Sequence, residues 1–275
     1  MECNKKLMEK YEGLKKYLSS LGSVAIAFSG GVDSTLLLYA AKEALGDRMM
    51  AITAISPSFP ESETKEASEF CIEHNIKQEK FYSNELEIPG YAKNPPDRCY
   101  ICKRGIFNKI LELSTKYGMN EVAEGSNLDD NGDYRPGHRA IAELNIKSPL
   151  REVLLTKAEI RELSKFFGLP TWDKPAYACL ASRIPYGEII TEEKLLKIGV
   201  AEKLLIELGF RQMRVRCHGD VARIELLPQD FSRFMEENIR SFIDKELKML
   251  GFSYVSLDLE GYRMGSLNKN LNKNI

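Results

Sequence analysis

What the sequence lacks most plainly is an excess of charge of one sign. Lys and Arg total 39 and Asp and Glu total 40 over 275 residues. No global field attracts nucleic acid, so any anion binding has to come from a local cluster. Long apolar runs are also missing, and no stretch reaches membrane-spanning length. The opening "MECNKKLMEKYEGLKKYL" is charged and patterned as an amphipathic helix, without the apolar core of a signal peptide. A cytoplasmic protein with no membrane partner is expected. Histidine is scarce, with 3 residues, and none is assigned a role. No Gly-Lys-Ser/Thr ending follows the glycine-rich turn, which excludes a Walker phosphate loop. No internal repeat and no recognisable RNA-binding module are present, so nucleic acid is not an expected partner.

What is present suits one large or two modest domains, with 43% hydrophobic residues available for a core. "SVAIAFSGG" reads as a buried strand running into a tight turn, and "DSTLLLYAAKEAL" as the helix after it. "MMAITAIS", "KQEKFYS" and "NEVAEGS" read as further strands. "ESETKEASEFCIEHN", "CKRGIFNKILELSTKYG" and "TKAEIRELSKFFG" read as helices. This alternation predicts an α/β fold with a doubly wound parallel sheet. Prolines and small residues then mark a connector, "LPTWDKPAYACLASRIPYG". Beyond it, a helix, two strands, the helix "DFSRFMEENIRSFIDKELKMLG" and a last strand predict a smaller C-terminal α+β domain. The expected division is 1–170, a connector over 171–187, a second domain over 188–267, and a frayed tail over 268–275. Trp172 is expected to pack at the domain junction.

"SGGVDS", Ser29 to Ser34, lies where a strand ends and a helix begins, which is where open α/β sheets bind ligands. Gly30 and Gly31 let the backbone turn sharply and approach a ligand. Exposed N–H groups and the helix dipole favour an anion there, and Ser29 and Ser34 add hydroxyl donors. Asp33 suits a phosphate site only if Mg2+ bridges it to the phosphate. The segment resembles the pyrophosphate loop of the ATP pyrophosphatase (PP-loop) families, among them GMP synthetase, NAD synthetase, asparagine synthetase and the tRNA thiolases. The resemblance implies cleavage of ATP between its α and β phosphates, with adenylation of a substrate oxygen. "EGSNLDD", from Glu124 and Gly125 to Asp130, resembles the second ATP-site segment of these folds.

An adenylated oxygen awaits a nucleophile. The chain has no room for an added glutaminase domain, but it has six cysteines, so sulfur leads. "KPAYACLASRIPYG", "RVRCHGDVARIE" and "GYRMGSLN" in succession are similar to the LarE family, and the likeness runs over nearly the whole chain. That family consists of ATP-dependent sulfur transferases that help to make the nickel-pincer nucleotide cofactor. The resemblance implies a nicotinate-derived substrate, pyridinium-3,5-biscarboxylic acid mononucleotide, whose carboxylate becomes a thiocarboxylate. In the sacrificial version, Cys179 attacks the acyl adenylate and Cβ–S cleavage leaves dehydroalanine. It also implies a homo-oligomer built around the substrate-binding domain.

"RCYICK" adds a second possibility. The spacing of Cys99 and Cys102 can put two thiolates on one metal, and a third ligand is then required. Cys179 is the candidate, since some family members resemble this pattern with three cysteines on a [4Fe–4S] cluster that carries an extra sulfide. A redox pair or half of a zinc site are the alternatives. Cys3, Cys71 and Cys217 read as ordinary thiols.

Arg214 and Arg216 are two apart on an alternating strand and share a face. Two guanidiniums suit a mononucleotide phosphate. The family resemblance adds Arg263 to this set and carries over Glu202 as an orienting residue. Arg183, four residues after Cys179, is expected to neutralise the adenylate or favour the thiolate. A tRNA thiolase, a stand-alone amide ligase and a non-enzymatic adenine-nucleotide sensor remain as rival readings. The identity of the sulfide donor is open.

Overall fold

The computed structural model describes residues 4–59, 61–132, 136–175, 179–263 and 265–266. Side chains at 61, 62, 131 and 132 are outside the description, as are Cys3 and the expected tail. The chain divides into two compact units. The first comprises 1–56, 60–88 and 97–176. The second comprises 57–59, 89–96 and 177–275.

In the first unit, α1 (Lys5–Ser20) starts on Asn4, whose side chain accepts from Lys6 N. It buries Leu7, Tyr11, Leu14 and Leu18, a 3–4 spacing that leaves its lysines on the opposite face. Next come β1 (Val24–Ala27), α2 (Val32–Leu45), β2 (Met49–Ile55), α3 (Glu61–Glu73) and β3 (Gln78–Tyr82). They are followed by α4 (Arg98–Lys116), β4 (Glu121–Ala123), α5 (Gly137–Glu143), α6 (Pro149–Glu152) and α7 (Lys157–Phe166). The strands form a parallel sheet in the order β3-β2-β1-β4. One core, with α1, α2 and α7, contains Leu14, Leu36, Leu150 and Ile160. The other, with α4 and α5, contains Phe107, Ile110 and Ile141. Strands β1 and β2 are therefore covered on both faces and need no polar alternation. The doubly wound sheet expected from the sequence is present.

The second unit contains α8 (Glu192–Glu207), β5 (Met213–His218), β6 (Val221–Leu226), α9 (Phe231–Phe234), α10 (Glu237–Met249) and β7 (Tyr254–Leu257). Strand β6 pairs antiparallel with β5 and parallel with β7. The single helix expected over "DFSRFMEENIRSFIDKELKMLG" is instead two, because Glu236 takes an extended ψ of 135° and caps α10. The break lets α9 set Phe234 against Phe210 while α10 buries Ile243 and Leu247.

Segments 57–59 and 89–96 leave the first half of the chain to pack in the second unit. Leu180 N donates to Ser58 O at 2.9 Å, and Asn94 Nδ2 donates to the carbonyls of Ile184 and Pro185 at 3.1 and 2.7 Å. Trp172 belongs to the first unit, 38% exposed, with Lys165 Nζ 4.5 Å above its ring. No helix among the described residues is long and apolar enough to cross a membrane.

Candidate functional site

In the order 3-2-1-4, the chain leaves β1 in one direction to reach β2 and in the other to reach β4. The carboxyl ends of β1 and β4 thus flank the crevice where such sheets bind ligands. "SGGVDS" follows β1 and "EGSNLDD" follows β4. The two segments touch: a Cβ on Gly125 would lie 3.0 Å from Ser34 N and 3.3 Å from Asp33 Cβ. Gly30 has φ +74°, and a Cβ there would lie 3.2 Å from Glu63 O. Both glycines are required by close backbone approach.

Around that turn, Ser29 Oγ and Ser34 Oγ lie 3.1 Å apart, and Ser34 Oγ donates to Gly31 O at 3.1 Å. Gly31 caps α2 without a side-chain bond. Asn127 Nδ2 donates to Asp33 Oδ1 at 3.2 Å, and the ammonium of Lys157 pairs with Asp33 Oδ2. Glu124 is buried and accepts from Ser126 Oγ at 2.8 Å and Ser148 Oγ at 2.6 Å. Its carboxylate ties the segment after β4 to Ser148, just before α6.

Lys157 is a residue that reading the sequence missed. It opens α7, where a helix dipole disfavours a cation. That misplaced charge was the available signal. Its backbone N donates to Asp129 Oδ2 at 2.8 Å, so the same residue bonds to both ATP-like segments. A capping box fixes it in place: Thr156 N donates to Glu159 Oε2 at 2.9 Å, and Lys10 pairs with Glu159 at 2.6 Å. The ammonium of Lys157 thus occupies the cation position beside Asp33. Lys174, the first residue of "KPAYACLASRIPYG", donates to Gly30 O at 3.4 Å and pairs with Glu63 at 2.8 Å.

Cys99 and Cys102 lie one turn apart in the first turn of α4, exposed and half-buried respectively. That spacing gives one helix face two thiol donors, which suits a shared iron–sulfur group. Among the described residues, no three Cys, His, Asp or Glu side chains are gathered as for a metal ion. Burial pushes the Cys71 thiol up to about 12, and it also raises Cys217.

In the second unit, Cys179 is half-buried and caps the short 3-10 turn Leu180–Arg183. Arg183 points inward. Its side chain is fully buried and bidentate on Glu202, with Nε to Oε1 at 2.8 Å and Nη2 to Oε2 at 2.7 Å. Arg183 Nη1 donates to Cys179 O at 3.2 Å, and Val215 N donates to Glu202 Oε1 at 3.0 Å. The pair positions the cysteine turn on α8 and β5.

The strand register sets Arg214 opposite Glu225 and Arg216 opposite Arg223. Two facing arginines repel. Glu225, with no exposed surface, offsets this by accepting from Arg216 at 3.0 and 2.9 Å and pairing with Arg223 at 3.1 Å. Arg216 Nη1 also donates to Ser182 O at 2.7 Å. Arg214 lies 5.1 Å from the Tyr262 ring centre. Burial, and next the Arg183 guanidinium, pull its pKa down. Arg263 pairs with Glu260 and approaches Asp258 at 3.8 Å. Its Nε is buried and meets no acceptor among the described residues. Glu225, Arg223 and Asp258 were not singled out in the sequence, although the alternation in "VARIEL" puts the first two on the same face as the arginines of β5.

No family model matches the chain. It is 43% identical over 267 residues to an uncharacterized protein of Synechocystis, covering 97% of this chain and all of that protein. It is 36% identical over 268 residues to the pyridinium-3,5-bisthiocarboxylic acid mononucleotide synthase of Lactiplantibacillus plantarum, covering 97% of this chain and 96% of that one. A shorter likeness, 27% over 186 residues, reaches a glutamine-hydrolyzing GMP synthase of Pyrococcus horikoshii, covering 62% of this chain and 58% of that one.

Proposed function

The chain belongs to the LarE family of PP-loop ATP-dependent sulfur transferases, and on that premise we propose that it acts on a nicotinate-derived mononucleotide. The substrate is pyridinium-3,5-biscarboxylic acid mononucleotide. A carboxylate oxygen of it attacks the α phosphorus of ATP, and pyrophosphate leaves. A hydrosulfide-level sulfur then adds to the acyl carbon, the C–O bond to AMP breaks, and a thiocarboxylate and a proton remain.

The observation that carries this reading is the meeting of "SGGVDS" and "EGSNLDD" at the switch point of the sheet, with Gly125 against Ser34. Backbone N–H groups at the start of α2, with Ser29 and Ser34, hold the phosphates. Asp33 would hold Mg2+, which when bound offsets phosphate charge, and Lys157 exchanges its carboxylate partner for phosphate oxygen. In the second unit, Arg214, Arg216 and Arg263 hold the phosphate of the mononucleotide. The desolvated guanidinium of Arg214 gains most from an anion. Arg183 and Glu202 act through position, fixing the turn that bears Cys179.

Cys99, Cys102 and Cys179 are the residues that would hold a [4Fe–4S] cluster, which when bound supplies a transferable sulfide. The pair on one turn of α4 supports this over a sacrificial Cys179. The protein is proposed to work as a cytoplasmic homo-oligomer, with 1–170 as the adenylating domain, 171–187 bearing Cys179 and 188–267 binding substrate.

Anaerobic purification with iron assay and intact mass, taken before and after turnover, tests this proposal. Bound iron and an unchanged protein mass are expected. Absence of iron, with loss of the elements of hydrogen sulfide at Cys179, would move the sulfur source to the cysteine itself. Thiolation by Cys179→Ala would exclude both routes.

A further inference from the structure

A second group of basic side chains lies at the carboxyl edge of the sheet, outside the phosphate loop. Residues 146–148 run beside β4, with Glu124 N donating to Lys147 O and Lys147 N to Val122 O, both at 2.9 Å. Helix α6 follows and buries Leu150 in the core formed with α1 and α2. Its next residue, Arg151, reaches the other layer: Nη2 donates to His138 Nδ1 of α5 at 3.0 Å. The guanidinium therefore joins α6 to α5. Lys103 of α4 joins it, lying so close over Gly137 that a Cβ there would be 2.8 Å from Lys103 Cδ.

Among the described residues, no carboxylate forms an ion pair with Lys103, His138 or Arg151. Arg151 Nε is buried and meets no acceptor there. Arginine is a donor only, so His138 Nδ1 accepts and the ring is neutral with its proton on Nε2. Burial, then Lys103 and Arg151, hold His138 below its usual range, against the opposing pull of Glu124 and Asp130. Glu124 is already committed to two serine hydroxyls. A half-buried guanidinium bonded to another base, with its buried Nε unmet, can still take an anion.

We infer that Lys103, His138 and Arg151 form a second phosphate-binding cluster on the carboxyl edge of the nucleotide unit. A planar fork, an ammonium and an imidazole N–H match the several acceptor oxygens of a phosphate group. The source is either the nucleotide's own phosphates or released pyrophosphate. This rests on the ATP reading above.

The test is calorimetric titration of the full chain with ATP, magnesium pyrophosphate, inorganic phosphate and AMP, using wild type, Arg151→Gln and Lys103→Gln. Each substitution is expected to weaken pyrophosphate binding by about tenfold or more, the scale of a charged hydrogen bond, and to leave AMP unchanged. Arg151→Lys should recover part of the loss. A parallel fall for ATP assigns the cluster to bound nucleotide, and an unchanged ATP affinity assigns it to the released anion. Wild type and both variants binding pyrophosphate equally would overturn the inference. If wild type bound phosphate through Arg151 but bound no ATP, the cluster would stand and the ATP reading would fall. If wild type bound none of these anions, both would fall. Lys103→Gln, at a half-exposed side chain, decides the matter if Arg151→Gln does not fold.

Discussion

Lys157 and Asp33, 124 residues apart in the chain, form an ion pair that joins the first turn of α7 to the first turn of α2. The pair puts a cation and a carboxylate at the turn where ATP phosphates and Mg2+ are proposed to bind. Lys157→Met should lower kcat/KM for ATP by about a hundredfold, the range found when a preorganised charge is removed from an active site. Asp33→Asn should additionally weaken the dependence on Mg2+. Exchange of labelled pyrophosphate into ATP measures both. Unchanged exchange in Lys157→Met would reduce the pair to a helix tie.

Arg183 and Glu202 should separate from Arg214 in what their loss affects. Removing one partner of a buried, bidentate pair leaves the other uncompensated, at a cost of about 3–5 kcal/mol. Glu202→Gln should therefore shift the urea midpoint strongly. Arg214→Gln should shift the midpoint less than Glu202→Gln and weaken binding of the mononucleotide by about tenfold or more. Equal loss of stability in both variants would contradict this separation.

Cysteine reactivity should follow burial. Cys99 is exposed, whereas the Cys71 thiol is pushed up to about 12 and holds little thiolate near neutral pH. Alkylation of the native, iron-free protein at pH 8 followed by peptide mapping should mark Cys99 well before Cys71 or Cys217. Early labelling of Cys71 would show that the core between α2 and α3 opens.

Acid should destabilise the fold through His138. Burial and the adjacent cations Lys103 and Arg151 lower His138 from an ordinary value of 6.5. The unfolded chain then binds protons that the folded chain refuses, so this stability is present above about pH 6.5 and is lost as pH falls. Stability measured between pH 7.5 and 5 should decline with a slope that His138→Gln reduces. An unaltered slope would place the acid sensitivity elsewhere.

Much of the fold was legible because the first unit obeys local rules. "VAIA" and "MMAITAI" are apolar without alternation because helices cover both faces of their strands, and Gly31 and Asp33 mark where α2 begins. Helices α5 and α6 were not legible, since they span only 7 and 4 residues and are held by tertiary packing. In the site, the two ATP-like segments and the β5 arginines are written in contiguous motifs. The partners of those residues are not. Lys157, Glu225 and the Arg183–Glu202 pair acquire their meaning from contacts across the fold, and an arginine four residues after a cysteine looks the same whether it faces solvent or a buried carboxylate.

The central claim is tested most directly by product analysis after incubating the anaerobically purified protein with ATP, magnesium, a sulfide source and pyridinium-3,5-biscarboxylic acid mononucleotide. The account predicts AMP and pyrophosphate in equal amounts, formed only when the mononucleotide is present, together with a mononucleotide in which sulfur has replaced a carboxylate oxygen. Cleavage of ATP to ADP and phosphate, or AMP formation that ignores the mononucleotide, would contradict it.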